Sequence, residues 1–84
     1  MYEQNYTVYV LYSPSLDRMY IGQTDFLIRR LNQHKAGLSK YTKRASDWIL
    51  IYTEECCSRS EVRKRESQLK SHQGRNYLRA LIKK

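Results

Sequence analysis

The stretch YTVYVLYSPSLDRMYIGQ, residues 6–23, decides the fold. Residues 6–12 are almost all β-branched or aromatic, side chains that suit a pleated, half-buried surface. Ser13, Pro14, Ser15, Leu16 and Asp17 then form a cluster rich in turn formers, and MYIGQ reads as the returning strand of a hairpin. With Pro14 and Ser15 at the centre of the turn, Tyr9 lies opposite Tyr20. Gly22 interrupts the pattern, because glycine weakens a strand and marks a bulge or a close backbone approach.

Working outward, Asp25 is placed to N-cap a helix through FLIRRLNQHKA, with Gly37 just past its end as the C′ residue. Leu27 and Leu31 supply its core stripe, and Arg30 and His34, also one turn apart, border that stripe on one side. A polar loop, GLSKYTKRAS, carries Lys40, Lys43 and Arg44. DWILIYTE, residues 47–54, is a dense apolar run of strand length and reads as the central or most buried strand. Ser58 and Glu61 make a capping box for a helix through about His72, which Gly74 breaks. A last short amphipathic helix carries Tyr77, Leu78, Leu81 and Ile82 and ends in Lys83 and Lys84, well placed for a helix C-terminus. The expectation is one α+β domain over residues 1–84: a small three-stranded antiparallel sheet flanked by helices, in the order β-β-α-β-α-α.

Composition narrows the function. Sixteen Lys and Arg against eight Asp and Glu give a formal charge of +8, which favours polyanions, nucleic acid above all. No apolar run approaches the roughly 20 residues that span a bilayer, and the N-terminus has no basic-then-apolar leader pattern, so no membrane partner is expected and the location reads as cytoplasmic. Cys56 and Cys57, adjacent in sequence, make neither a disulfide framework nor a CxxC half-site; they read as reduced thiols. The eight tyrosines against one Phe and one Trp suit a small core as well as they suit contact with a phosphate or base.

Glu66 falls on the stripe that Val62 and Leu69 define, where a carboxylate needs a partner, a hydrogen-bond network or a metal. The plainer alternative is an edge position with an i,i+4 pair to Lys70, worth about 0.3–0.5 kcal/mol. Arg30 and His34 have a plain alternative too, a solvated basic face shared with Arg29 and Lys35. For Tyr9 and Tyr20 it is strand preference alone.

Taken together in order, these residues resemble the GIY-YIG nuclease superfamily, in particular its small single-domain bacterial members. The YIG triplet is intact as Tyr20, Ile21 and Gly22, and the first triplet survives as Thr7, Val8 and Tyr9, with the two tyrosines eleven positions apart. Arg30 follows in the family's YIG-x7-R spacing, and His34 stands one turn later where the family commonly carries His or Tyr. Glu66, in KRESQLK, matches the motif around the metal-binding glutamate, and Asn76 matches a downstream asparagine more loosely. The likeness covers about residues 6–78.

The resemblance implies a metal-dependent endonuclease that hydrolyses phosphodiester bonds in DNA, including structured or damaged forms, with little sequence specificity. Glu66 would be the one protein carboxylate on Mg2+ or Mn2+, with water and phosphate oxygens completing the shell. Arg30 would donate to phosphoryl oxygens. Tyr9 would be the base, with Tyr20 and His34 beside it; a free tyrosine has a pKa of about 10 and needs nearby positive charge, from Arg30 or the metal, to serve at neutral pH, and His34 competes on intrinsic pKa. Gly22, Gln23, Lys40, Tyr41, Lys43, Arg44 and Asn76 are candidates for substrate contact, Gln23 standing where some relatives carry a lysine. Lys40, Lys43, Arg44, Arg63, Lys64, Arg75 and Arg79 would touch the nucleic-acid backbone, which positions a duplex without reading it. Specificity would then come from substrate structure, a protein partner or a homodimer. Two other readings stay open: a non-catalytic nucleic-acid-binding module on the same basic face, and a small basic protein that associates with RNA or ribosomes.

Overall fold

The computed structural model describes residues 5–82. Lys83 and Lys84, expected to close the last helix, lie outside the described residues. The elements are β1 (Tyr6–Ser13), β2 (Arg18–Thr24), α1 (Leu27–Lys35), β3 (Ile49–Cys56), α2 (Arg59–Lys70) and α3 (His72–Ile82), with a short 3-10 turn at Thr42–Arg44 before β3. This is the expected α+β order, and the three strands form one antiparallel sheet.

The hairpin forms, but its register differs from the sequence reading. Tyr9 pairs with Gly22 and Leu11 pairs with Tyr20, because the connection spans four residues between Ser13 and Arg18. Asp17 takes a left-handed conformation (φ 50°) at the end of the turn. The Asp47 carboxylate fixes this connection by accepting Ser13 Oγ (2.6 Å) and the Ser15 N–H (2.8 Å).

β3 is not the central strand. The sheet order is β2-β1-β3, so β1 has a partner on both sides. Val8, Tyr9 and Val10 are fully buried, whereas Ile49 and Leu50 of β3 are 52% and 40% exposed. Apolar density in a run cannot say which strand gains two neighbours, and both runs satisfied the same pattern.

Alternation along β1 divides the molecule into two sides. Val8, Val10 and Ile21 point to one face and pack with Cys56, Val62, Leu69 and Leu78, which is the core under α2 and α3. Tyr9 and Leu11 point to the other, where α1 and the basic loop lie.

The helix ends show local chemistry. α1 is not capped by Asp25: Phe26 is the cap residue, without a side-chain cap bond, and Thr24 Oγ1 accepts the Phe26 N–H at 3.1 Å. Asp25 instead pairs with Arg29 at 3.5 Å. Gly37, at φ 74°, closes the helix as expected, with Leu38 N–H donating to Gln33 O and Gly37 N–H to His34 O, a complete Schellman motif. Ser58 caps α2 by accepting the Glu61 N–H, and the Glu61 carboxylate returns to the Cys57 N–H.

α2 stops at Ser71 rather than Gly74. Ser71 is extended (ψ 168°); its hydroxyl donates to Gln68 O and accepts the Gly74 N–H, ending one helix and starting the next. Gly74 lies inside α3, and a Cβ there would sit 2.3 Å from Gln68 O and 2.5 Å from Leu69 Cα. Its role is close approach of two backbones, which cannot yield as a side chain does. Gly74→Ala is therefore expected to cost about 1–3 kcal/mol, as overpacking does, lowering the thermal midpoint by several degrees per kcal/mol in a domain this small; a melting curve followed by circular dichroism checks this.

Candidate active site

The site is built on the face that carries Tyr9. Tyr9 is wholly buried, and its hydroxyl lies 2.8 Å from His34 Nε2 on α1. The other ring nitrogen, Nδ1, lies 2.7 Å from Thr42 Oγ1. Since a neutral imidazole has one donor and one acceptor nitrogen, the two bonds have opposite sense at the ring. His34 is 5% exposed and Thr42 fully buried, so His34 is no part of a solvated basic face. It, and neither Leu27 nor Leu31, is the buried residue of α1.

Tyr20 completes the cluster. Its ring centroid lies 5.0 Å from that of His34 and 6.1 Å from that of Tyr9. Gly22 explains itself here: a Cβ at this position would meet Tyr9 Oη at 2.8 Å and Tyr20 Cε1 at 2.9 Å. Tyr9 lies across Gly22 in the ladder and leans over the space a side chain would fill. The phenol is held by His34 and cannot swing away, so Gly22→Ala is expected to displace the cluster. We expect a loss of about 10²-fold in any activity that depends on it, together with a changed near-ultraviolet dichroism from the tyrosines.

Arg30, one turn before His34, directs its guanidinium at the phenols of Tyr20 and Tyr9 and donates to Gln33 Oε1 at 3.0 Å. Burial pushes the Tyr9 phenol well above the usual range and the neighbouring Tyr20 adds to this, outweighing the opposite pull of Arg30. The expectation that Arg30 would make Tyr9 a ready base is thus not met by the protein alone. Burial, then the charge of Arg30, lowers His34 from its ordinary 6.5, so both members of the pair are neutral at pH 7.

The loop supplies a second layer. Tyr41 lies 5.6 Å from Tyr20 and 6.0 Å from Trp48, centroid to centroid, and Arg44 lies over the Tyr41 ring at 5.3 Å. Trp48 Nε1 donates to Thr42 O at 2.7 Å, which pins the residue that holds His34. Lys40, Lys43 and Arg44 are exposed on this loop. Thr42 and Trp48 escaped the sequence reading. A threonine inside KYTKR looks like loop filler, and only its burial identifies it.

Glu66 approaches from the opposite side. The Gln23 side chain is on the α2 face, like its partner Val8, and its amide donates to Glu66 Oε1 at 3.2 Å. Glu66 Oε2 pairs with Lys70 at 3.0 Å, the Glu66 side chain being 18% exposed. The plain i,i+4 pair is therefore present, and so is a bridge to the strand of the YIG triplet. Gly22 and Gln23, consecutive in β2, join the tyrosine–histidine–arginine half to the carboxylate half.

Other candidates lie apart from this cluster. The Asn76 amide meets His72 on the exposed surface of α3. Arg79 is bound to Asp17 at 2.6 Å, and Arg75 Nε donates to Lys70 O; both do structural work between elements. Arg63 and Lys64 are exposed on α2.

Among the described residues, no group of three or more His, Cys, Asp or Glu side chains forms a metal centre. The donor set nevertheless fits a hard cation that keeps most of its shell as water and phosphate oxygen, since such an ion needs only one or two carboxylates. Glu66 is partly exposed and its partner Lys70 is half exposed and displaceable.

The comparisons agree with this geometry. The solution NMR structure of the UPF0213 protein BH0048 from Bacillus halodurans superimposes with a TM-score of 0.56 at 29% identity, over 92% of this chain and 84% of that one. The search of curated proteins finds no match. The family model described as the GIY-YIG catalytic domain matches residues 5–78; this is a nuclease family that generally uses a divalent metal, and the chain belongs to it.

Proposed function

We propose that this protein is a metal-dependent endonuclease that hydrolyses phosphodiester bonds in DNA, acting on structured or damaged forms with low sequence specificity. The observation that carries this reading is the buried bond from Tyr9 to His34 beside Arg30. A phenol held on a histidine that is itself held by Thr42, with a guanidinium beside it, is a positioned acid–base pair next to a phosphate-binding group, which supports this reading.

In this reading Tyr9 takes the proton of the attacking water while its own phenolic proton passes to His34 Nε2. His34 keeps its Nδ1 proton on Thr42 Oγ1 and leaves the step as imidazolium. No free phenolate is required, which removes the difficulty of the raised Tyr9 pKa. As the water oxygen bonds to phosphorus the bond to the leaving ester oxygen breaks, that oxygen taking a proton from solvent, and Arg30 donates to the phosphoryl oxygens as negative charge gathers on them. Glu66, oriented by Gln23, would hold Mg2+ or Mn2+, which when bound neutralises charge on phosphate oxygens. Tyr41, Lys40, Lys43 and Arg44 hold the substrate strand.

A second reading is favoured by the Glu66–Lys70 ion pair, which gives the carboxylate a structural use: a binding module that does not cut. Labelled duplex DNA, branched DNA and RNA of matched sequence, incubated with Mg2+ or Mn2+, separate the cases. Cleavage of DNA, branched above linear, supports the proposal. Cleavage confined to RNA overturns the DNA preference, and salt-sensitive binding without cleavage of any substrate supports the module.

A further inference from the structure

A cleft of about 370 Å3 lies between α1 and the segment leading into β3, with His34 forming part of its wall. Its other walls include Leu11, Leu31, Trp48 and Leu50, and Lys35 adds one charge. The proton path described above does not use it. Its size falls among those of small-molecule sites, about 300–1,000 Å3, and its mostly apolar lining, with one indole and a few polar groups, is typical of them.

What it takes follows from its position and lining. A single lysine among apolar walls suits a flat heteroaromatic ring with polar edges better than a bare anion. Arg30, assigned above to the phosphate, is one helical turn from His34, about 6 Å along the axis. The rings of Tyr20, Tyr41 and Trp48 succeed one another at 5.6 and 6.0 Å, leading from the YIG strand to the cleft, with Arg44 lying over Tyr41. Aromatic faces and stacked guanidinium groups are the surfaces on which unpaired bases settle.

We propose that this cleft takes one unpaired nucleobase of the strand whose phosphate lies at Arg30, so that the protein selects substrates with an extrahelical or unpaired nucleotide beside the cleavage position. The proposal rests on the nuclease reading for the place of that phosphate. A paired base must first be unstacked to enter, and this costs least where it is already unpaired, so selection of substrate structure follows from one pocket without any base-reading domain.

The test uses Trp48, the one tryptophan of the chain, whose fluorescence is read in EDTA against a perfect duplex, the same duplex with one bulged adenine, and one with an abasic bulge. The bulged adenine is expected to quench Trp48 and to bind about tenfold or more tightly than the other two. Ala45→Phe, which fills the cleft from its wall, is expected to remove that advantage while leaving the abasic duplex bound as before. Leu50→Phe, at a half-exposed wall position, fills the same space from the β3 side without changing the charge and serves if the first variant fails to fold. Equal affinity for the adenine and abasic bulges, or an advantage that survives both variants, overturns the proposal. Hydrolysis is not read here, so failure leaves the nuclease reading to the cleavage assays.

Discussion

Glu66→Gln is expected to reduce metal-dependent nicking of supercoiled plasmid by about 10³-fold or more, with DNA binding retained. The substitution keeps the volume of the side chain and its bond with Gln23, and it loses only an i,i+4 pair worth about 0.3–0.5 kcal/mol. The fold should therefore survive, which an unchanged melting curve will verify. Loss of the carboxylate proposed to hold the cation would remove charge stabilisation of several kcal/mol from the transition state, and each 1.36 kcal/mol is about tenfold in rate. Binding should persist or tighten slightly, because a negative charge has been taken from a surface that faces a polyanion. A variant that nicks at the wild-type rate would show that Glu66 serves only Lys70 and Gln23.

Tyr9→Phe is expected to lower the cleavage rate constant by about 10²–10⁴-fold, the usual contribution of a positioned acid–base group, with little change in KM. The ring still fills the space over Gly22, so the cluster keeps its shape while the hydroxyl is lost. The pH dependence is sharper evidence. Protonated His34 cannot accept the proton that Tyr9 must release, and His34 is lowered from 6.5 by burial and by Arg30. Activity should thus fall as pH drops through the region below about 6.5 and level off above it. A tyrosine acting alone would instead give a rate still rising towards its own raised pKa. A kinetic pH profile of the wild type separates the two, and His34→Gln should lose the acid limb along with most of the activity.

Both predictions rest on residues that the sequence exposed, for physical reasons. Tyr9, Tyr20 and Gly22 lie within one hairpin, so their relation was set by strand pairing. Even there the register slipped by two residues, because Pro14 and Ser15 do not specify how long the turn is. Arg30 and His34 share a side of α1 by helical spacing alone. The burial of Tyr9 is not legible, since YTVYVLY and DWILIYTE both read as dense apolar strands and only assembly decides which strand lies between the others. Nor is the function of Thr42, a polar residue in a polar loop, whose importance comes from its hydroxyl at His34 Nδ1, kept in place by Trp48 on its carbonyl. The joint at Ser71 is not legible because a glycine in a helical pattern reads as a breaker, whereas the missing side chain of Gly74 serves the packing of α3 against the end of α2. The pair of Glu66 with Lys70 is legible from i,i+4 spacing, but that its amide partner would be Gln23 requires the tertiary fold.

The most direct test of the account is nicking of supercoiled plasmid by the wild-type protein in Mg2+, in Mn2+ and in EDTA, with binding measured in parallel across salt concentration. The account predicts open-circular product with Mg2+ or Mn2+, none in EDTA, and salt-sensitive binding throughout. Binding without nicking under every metal condition, or nicking that EDTA does not suppress, would contradict it.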